Sequence, residues 1–114
     1  PKSRKNAINL FLNELDEKLK SKAEIILLDV REVSERKFGT IRGEEDIVIP
    51  VGELESRFSE LADFKDKEIV VYCRTGGRSM RACKFLERQG FFNVANLIGG
   101  ILAWKEIDDT VEVY

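Results

Sequence analysis

A cysteine followed by a glycine-rich, arginine-containing segment is the strongest chemical signal in this sequence. The segment Cys73-Arg74-Thr75-Gly76-Gly77-Arg78-Ser79 follows the apolar residues 69–72, and a helical pattern begins where it ends. An apolar run of this kind predicts a strand buried on both faces. A strand, a loop and a helix in this order direct backbone N–H groups and the positive end of the helix dipole at one point. A thiol at that point is biased towards the thiolate, which predicts a nucleophilic Cys73 in an anion-binding loop.

The other residues of this loop suit an anion as well. Gly76 and Gly77 permit the positive φ angles that a tight anion-binding turn needs. Arg74 and Arg78 add two permanent positive charges, so we expect a small anionic substrate. Thr75 is able either to donate its hydroxyl to a sulfur anion or to stabilise the turn, and the sequence leaves both roles open.

The sequence contains no histidine. This excludes a Ser-His-Asp triad, a Cys-His dyad and an ordinary histidine-containing zinc site, and we expect no metal. Any activation of Cys73 must therefore be electrostatic. The second cysteine, Cys83, lies between Met80 and Leu86 on the helix face that we expect to touch the sheet. We interpret it as an inert core thiol and not as a resolving thiol.

Composition limits the classes of protein that this chain can belong to. Its 114 residues are enough for one domain, and we treat 1–114 as a single domain. A formal net charge of −2 gives no support for a nucleic-acid partner.

No apolar stretch approaches the roughly 20 residues of a membrane span, and the start does not resemble a signal peptide. Two cysteines do not suggest a disulfide scaffold, so we expect a cytoplasmic protein. We also expect a monomer. The first residue is Pro and not Met, which suits a piece of a longer protein.

Hydrophobic periodicity divides the chain into alternating helices and strands. The predicted elements are a helix over 6–20, strands over 25–30 and 47–49, a helix over 54–61, a strand over 69–72, a helix over 78–89, a strand within 91–98, a short helix over 101–107 and an extended tail over 108–114. This alternation predicts an α/β domain with a central parallel sheet and helices on both faces. Ligands bind such sheets beyond the carboxyl ends of the strands, where Cys73 lies.

Two charged residues stand at the carboxyl end of another predicted strand. Asp29 and Arg31 flank Val30 there, and neither side chain is readily buried without a partner. We interpret them as an ion pair that supports the site, in preference to a direct catalytic role.

From about Ile25 to Trp104 the sequence resembles the rhodanese-like sulfurtransferases. The motifs that carry the resemblance are Asp29-Val30-Arg31-Glu32, the segment 73–79, and a closing segment with Gly99-Gly100 and Ala103-Trp104. The resemblance implies a single rhodanese-like domain in which Cys73 takes a sulfane sulfur from a donor such as thiosulfate. Cys73 then carries a covalent persulfide, with no separate cofactor, and passes the sulfur to a nucleophilic acceptor.

The resemblance also implies roles for the rest of the loop. The backbone amides of residues 74–79, from Arg74 to Ser79, would hold the persulfide. Arg74 and Arg78 would bind the anionic donor, although Arg78 is equally placed to pair with a buried carboxylate.

Three other readings remain open. The end of the chain, with Ile107-Asp108-Asp109 and Tyr114, resembles the carboxyl-terminal rhodanese domains of ubiquitin-activating-like adenylyltransferases. That resemblance implies a sulfur-relay domain that works with a protein sulfur donor and a ubiquitin-like sulfur carrier. A phosphatase or an arsenate reductase is a further alternative. The loop of those enzymes resembles a Cys-x5-Arg pattern, which is one residue longer and wider, whereas Cys73 and Arg78 are spaced Cys-x4-Arg. A catalytically silent interaction module is disfavoured by the intact cysteine and loop arginines.

Overall fold

The computed structural model describes residues 8–114, and its centre is a five-stranded parallel sheet with the strand order β1-β5-β4-β2-β3. The strands are β1 (Ile8–Leu10), β2 (Ile25–Asp29), β3 (Glu45–Val48), β4 (Glu68–Tyr72) and β5 (Val94–Leu97). The helices are α1 (Leu12–Lys20), α2 (Leu54–Arg57), α3 (Gly77–Arg88) and α4 (Gly100–Trp104), with 3₁₀ turns at Val33–Phe38, Val51–Glu53 and Phe58–Phe64. This confirms the predicted α/β fold.

Side chains that alternate along the strands pack into two separate cores, one on each face of the sheet. In β4, Ile69 and Val71 face the core that α2 and α3 cover, and Cys73 continues this face just beyond the strand. Val70 and Tyr72 face the opposite core, which α1 and α4 cover. Helices therefore lie on both faces, and the central strands β2, β4 and β5 are mostly apolar because both of their faces are buried.

The beginning of the described chain differs from the prediction of one helix over 6–20. Ile8–Leu10 form β1, which pairs in parallel with β5, and the helix begins only at Leu12. Residues 6 and 7 lie outside the described residues. The apolar spacing of this segment suits a helix, but pairing with a strand some ninety residues away is invisible to local periodicity.

The amphipathic helix predicted over 54–61 is also different. Only Leu54–Arg57 is α-helical, and a 3₁₀ helix continues to Phe64. Phe58, Leu61 and Phe64 all pack on the same core and are spaced by three residues. A 3₁₀ helix has three residues per turn, so it brings all three to one face where an α-helix would spread them.

The predicted extended tail over 108–114 contains a turn at residues 109–110 and is held against the domain. Val111 is buried, and its carbonyl accepts a hydrogen bond from Lys105 Nζ at 2.5 Å. Glu112 donates its N–H to the carbonyl of Phe38 at 2.7 Å. The tail therefore packs against the 3₁₀ helix that follows β2.

Within residues 8–114, no helix combines the length and the apolar character needed to cross a bilayer.

Candidate active site

Cys73 lies directly after β4, at the carboxyl end of the sheet, and is 1% exposed. Its sulfur accepts the backbone N–H of Gly76 at 3.0 Å and that of Ser79 at 3.4 Å. The hydroxyl of Ser79 lies 3.3 Å from the same sulfur. These polar groups surround the sulfur within the cysteine loop, the name we use for residues 73–79.

Helix α4 fixes the orientation of the peptide units in the cysteine loop. The carbonyls of Cys73 and Arg74 accept the N–H groups of Ile101 at 2.9 Å and Leu102 at 3.2 Å. In a trans peptide the N–H points away from its carbonyl, so the bond from Leu102 orients the N–H of Thr75, which is one of the groups that lower the pKa of Cys73. The close approach of α4 to the cysteine loop requires a glycine at position 100, because a Cβ there would lie 2.4 Å from the carbonyl oxygen of Arg74.

Hydrogen bonds outweigh burial at this thiol. Burial raises the pKa of Cys73, but the hydroxyl of Ser79 and the backbone N–H groups of Ser79, Gly76 and Thr75 lower it. The net effect is a pKa below the ordinary value of a cysteine, since each of these donors stabilises the thiolate more than the thiol.

The two glycines of the loop have different roles. Gly76 has a φ of 119° and precedes α3, as the predicted left-handed turn requires. Gly77 does not have a positive φ, and a Cβ there would meet nothing within 4 Å, so the prediction of a positive φ was wrong for Gly77. As the first residue of α3 it has ordinary helical geometry. Thr75 is exposed, and its backbone N–H is one of the groups that lower the pKa of Cys73. Among the described residues, its hydroxyl makes no hydrogen bond to the sulfur of Cys73.

Arg78 makes a bidentate ion pair with Glu35, at 2.7 and 3.0 Å. This pair holds the pKa of Glu35 at about 2, chiefly through the hydrogen bonds from Arg78. The side chains of Arg78 and Glu35 are 30% and 17% exposed. The structure thus shows the carboxylate pairing that the sequence left open for Arg78, with its guanidinium bound to the 3₁₀ helix after β2.

The other loop arginine contacts the tail. Arg74 donates a hydrogen bond to the backbone oxygen of Tyr114, and its guanidinium lies 5.1 Å from the centre of the Tyr114 ring. The ring itself stacks on Phe38 at 4.4 Å, and its hydroxyl donates to Glu35 at 2.9 Å. Both loop arginines therefore have intramolecular partners, and Tyr114 connects them.

Asp29 and Arg31 form the buried ion pair that the sequence predicts. Both side chains are fully buried, and two guanidinium nitrogens of Arg31 donate to the carboxylate at 2.9 and 2.8 Å. Arg31 also donates to the hydroxyl of Tyr114 at 3.1 Å. The pair therefore lies behind the site and orders the tail residue that contacts both Arg74 and Glu35.

Cys83 lies in the middle of α3 and is fully buried in the same core as Cys73. Burial raises its pKa to about 12. This agrees with our interpretation of Cys83 as a core thiol.

Three residues of this site were not recognised from the sequence. No motif singles out Glu35, and Tyr114 enters only through the resemblance of the end of the chain to other tails. Asn96 was not singled out, although a carboxamide inside the apolar strand β5 is an unusual choice that marks the position. Asn96 accepts a hydrogen bond from Ser79, at 2.5 Å.

Among the residues that the structure describes, no group of three or more His, Cys, Asp or Glu side chains is placed to hold a metal ion.

Comparison with known proteins identifies a family to which this chain is similar. Residues 11–107 match the family described as the rhodanese-like domain. A protein named sulfurtransferase from Allochromatium vinosum is 37% identical over 99 residues, which cover 82% of this chain and 89% of that protein. The crystal structure of a rhodanese-related protein from Thermoplasma volcanium has a TM-score of 0.76 and 35% identity, and covers 89% of this chain and 93% of that one. An Arabidopsis thaliana protein named adenylyltransferase and sulfurtransferase MOCS3 is 32% identical over 105 residues, 80% of this chain and 22% of that protein.

Proposed function

This chain belongs to the rhodanese-like sulfurtransferase family, and from that premise we propose that Cys73 carries a sulfane sulfur between a donor and a nucleophilic acceptor. The proposed donor is a small anion such as thiosulfate. The proposed intermediate is a persulfide on Cys73.

In the first step the Cys73 thiolate attacks the sulfane sulfur of thiosulfate. A sulfur–sulfur bond forms to Cys73, the sulfur–sulfur bond of the donor breaks, and sulfite leaves with the electron pair. In the second step a nucleophilic acceptor attacks the outer sulfur of the persulfide. Cys73 leaves as the thiolate, so no proton has to be removed from Cys73 during turnover.

One observation carries this proposal: the sulfur of Cys73 accepts hydrogen bonds from Gly76 and Ser79 in a loop that also lowers its pKa. The thiolate is the nucleophile in the first step and the leaving group in the second. Donors that stabilise it therefore serve both steps, and they replace the imidazole that this chain lacks.

The geometry argues against a phosphatase. The Cys-x4-Arg loop is one residue shorter than the phosphatase pattern, and the guanidinium of Arg78 is bound to Glu35. A phosphoryl group would need that guanidinium for its oxygens.

A second candidate is a sulfur-relay domain that receives its sulfur from a protein persulfide and passes it to a ubiquitin-like carrier. The relative from Arabidopsis thaliana supports it, as does the engagement of Arg74 and Arg78 in intramolecular contacts. Neither guanidinium is then free for a small anion unless its contact opens, whereas a protein donor brings its own binding surface.

Sulfur loading of the whole protein tests both candidates. We expect incubation with thiosulfate to add the mass of one sulfur atom to the peptide that contains Cys73, with release of sulfite. The Cys73→Ser variant is the control and should gain no mass. Loading by a protein persulfide but not by thiosulfate would favour the relay domain. A folded protein that takes sulfur from neither source would overturn the proposed function.

A further inference from the structure

Asn96 places a carboxamide inside a strand that is otherwise apolar. It is 4% exposed, and its neighbours Ala95 and Leu97 are buried. A buried amide is unfavourable unless it has hydrogen-bond partners. Asn96 lies opposite Val71 in the register of β4 and β5, on the face of the sheet that also carries Cys73. The carboxamide is therefore directed at the underside of the cysteine loop.

The partner of Asn96 is the hydroxyl that contacts the reactive sulfur. The Oγ atom of Ser79 lies 2.5 Å from Asn96 Oδ1, 3.3 Å from the sulfur of Cys73 and 3.2 Å from the carbonyl oxygen of Gly76. Ser79 is fully buried. A hydroxyl has one proton to donate, so it can serve only one of these three neighbours at a time.

The protonation state of Cys73 decides where that proton is needed. While Cys73 is a thiol, its S–H can donate to Ser79 Oγ, and the hydroxyl donates to Asn96 Oδ1. After ionisation, when the thiol proton has gone to solvent, the thiolate accepts hydrogen bonds only. The hydroxyl of Ser79 must then turn to the sulfur, which leaves two oxygen acceptors, Ser79 Oγ and Asn96 Oδ1, facing each other.

A carboxamide resolves this conflict because it has a donor on one side and an acceptor on the other. A half-turn of the Asn96 amide, about a torsion with a broad two-fold preference, brings Nδ2 to Ser79 Oγ as a donor. An ionised aspartate would remain an acceptor in both states, and a leucine would be neither donor nor acceptor.

We propose that Asn96 is a positioning residue for Cys73: its Oδ1 accepts a hydrogen bond from the Ser79 hydroxyl while Cys73 is a thiol, and its Nδ2 donates one to Ser79 Oγ when Cys73 is a thiolate. The ionisation part of this inference rests on geometry alone, and its importance for sulfur transfer rests on the proposed function. Since the thiolate is the nucleophile in one step and the leaving group in the other, Asn96 acts in both half-reactions.

Other groups around the sulfur do not make this role redundant. The loop contributes Arg78, whose charge is paired with Glu35, and Arg74, which is held by the tail. Helix α3 contributes the thiol of Cys83, which is neutral near pH 7 because burial raises its pKa to about 12. From β5, Asn96 is the polar side chain that reaches the loop through Ser79.

A first experiment uses the unmodified protein. We expect the side-chain amide resonances of Asn96 to shift with pH along the same titration curve as the thiolate absorbance of Cys73. Resonances that stay constant through that titration would overturn the proposal.

A second experiment compares variants. We expect Asn96→Asp to reduce the thiolate fraction of Cys73 at pH 7 about tenfold, and Asn96→Leu to reduce it about two- to fourfold, since one hydrogen bond to a charged group changes an equilibrium by this order. Asn9→Asp is the matched control, because Asn9 is exposed and pairs in register with Asn96. It should change the thiolate fraction by less than twofold.

The Ser79→Ala background decides whether the effect passes through the hydroxyl. There, Asn96→Leu should leave the thiolate fraction unchanged. An equal effect of Asn96→Leu with and without Ser79 would overturn the proposal, as would folded Asn96 variants with an unaltered Cys73 titration. Because the thiolate is measured without a sulfur donor, a wild-type protein that takes up no sulfur would refute the proposed function and leave this result standing.

Discussion

The two cysteines of this protein lie in the same core and differ in almost every chemical respect. Cys73 and Cys83 are 1% and 0% exposed. Burial raises the pKa of both, but among residues 8–114 backbone N–H groups and a hydroxyl are directed only at the sulfur of Cys73. The comparison shows that hydrogen-bond donors at the end of a strand, and not exposure, distinguish a thiol with a lowered pKa from one with a raised pKa.

The largest difference that we expect is in reactivity towards a small alkylating agent. At neutral pH the folded protein should be labelled at Cys73 about 10³-fold faster than at Cys83, because a thiol with a pKa of about 12 has almost no thiolate. The labelling rate of Cys73 should rise with pH and level off earlier than for a cysteine in an unstructured peptide, since its pKa is lowered. Peptide mapping at several pH values measures both rates.

The controls for this experiment are Cys73→Ser, which should remove fast labelling, and Cys83→Ala, which should keep it. Rapid labelling of Cys83 in the folded protein would show that the two thiols are not different in kind.

An intermediate effect on sulfur loading is expected from a variant that moves the N–H donors away from Cys73, so that its environment resembles that of Cys83. Gly76→Ala forces a side chain into a φ of 119°. Such strain costs about 1–3 kcal/mol, and its relief moves the N–H donors away from the sulfur. Sulfur loading at neutral pH should slow by about ten- to a hundredfold, with a higher pKa of Cys73 in a thiolate titration.

Gly77→Ala is the matched control, since its Cβ meets open space and its φ is not positive. It should keep the wild-type loading rate and stabilise the fold by up to about 1 kcal/mol, because alanine is the better helix former. Equal losses in both variants would mean that loop flexibility, and not the geometry at Gly76, governs the thiol.

The smallest effect is expected from the ion pair between Arg78 and Glu35. Glu35→Gln should lower the free energy of unfolding at pH 7 by about 1 kcal/mol, because the pair is partly exposed and screened. Without the carboxylate, the charge of Arg78 should also lower the pKa of Cys73 slightly further. Chemical denaturation and the thiolate titration measure these two changes.

The lowered pKa of Glu35 determines the direction in which the stability of the fold changes with pH. Its contribution to stability is complete above the pKa of an unfolded glutamate and is lost as the pH falls through about 2. The wild type and Glu35→Gln should therefore become equally stable towards that pH. Glu32→Gln removes the same charge from an exposed position three residues away and should leave stability at pH 7 nearly unchanged. A similar loss in both variants would point to net charge as the cause.

The sequence was sufficient for those parts of the site that are local in the chain. The strand, the glycine turn and the start of α3 are consecutive, so the position of Cys73 and the need for a left-handed Gly76 follow from residue types. The two thiols could also be told apart, because Cys83 lies at helical spacing from other core residues.

The remainder depends on contacts between distant segments. Glu35 and Tyr114 meet Arg78 and Arg74 only after the sheet has formed, and charged or aromatic residues in loops give no sign of their partner. Local spacing was misleading for Ile8–Leu10, where pairing with β5 overrides a helical pattern. The role of Asn96 required distances that a sequence does not contain.

The place of β1 in the sheet has a consequence for the order of folding. β1 pairs with β5, so joining these strands closes a loop that contains almost the whole chain. The elements that surround Cys73 come instead from the continuous stretch β4 to α4, whose contacts are separated by far fewer residues. Short loops close at lower entropic cost and faster than long ones. We therefore expect the thiol environment to form early, and the edge strand to dock last and to exchange its amide protons first.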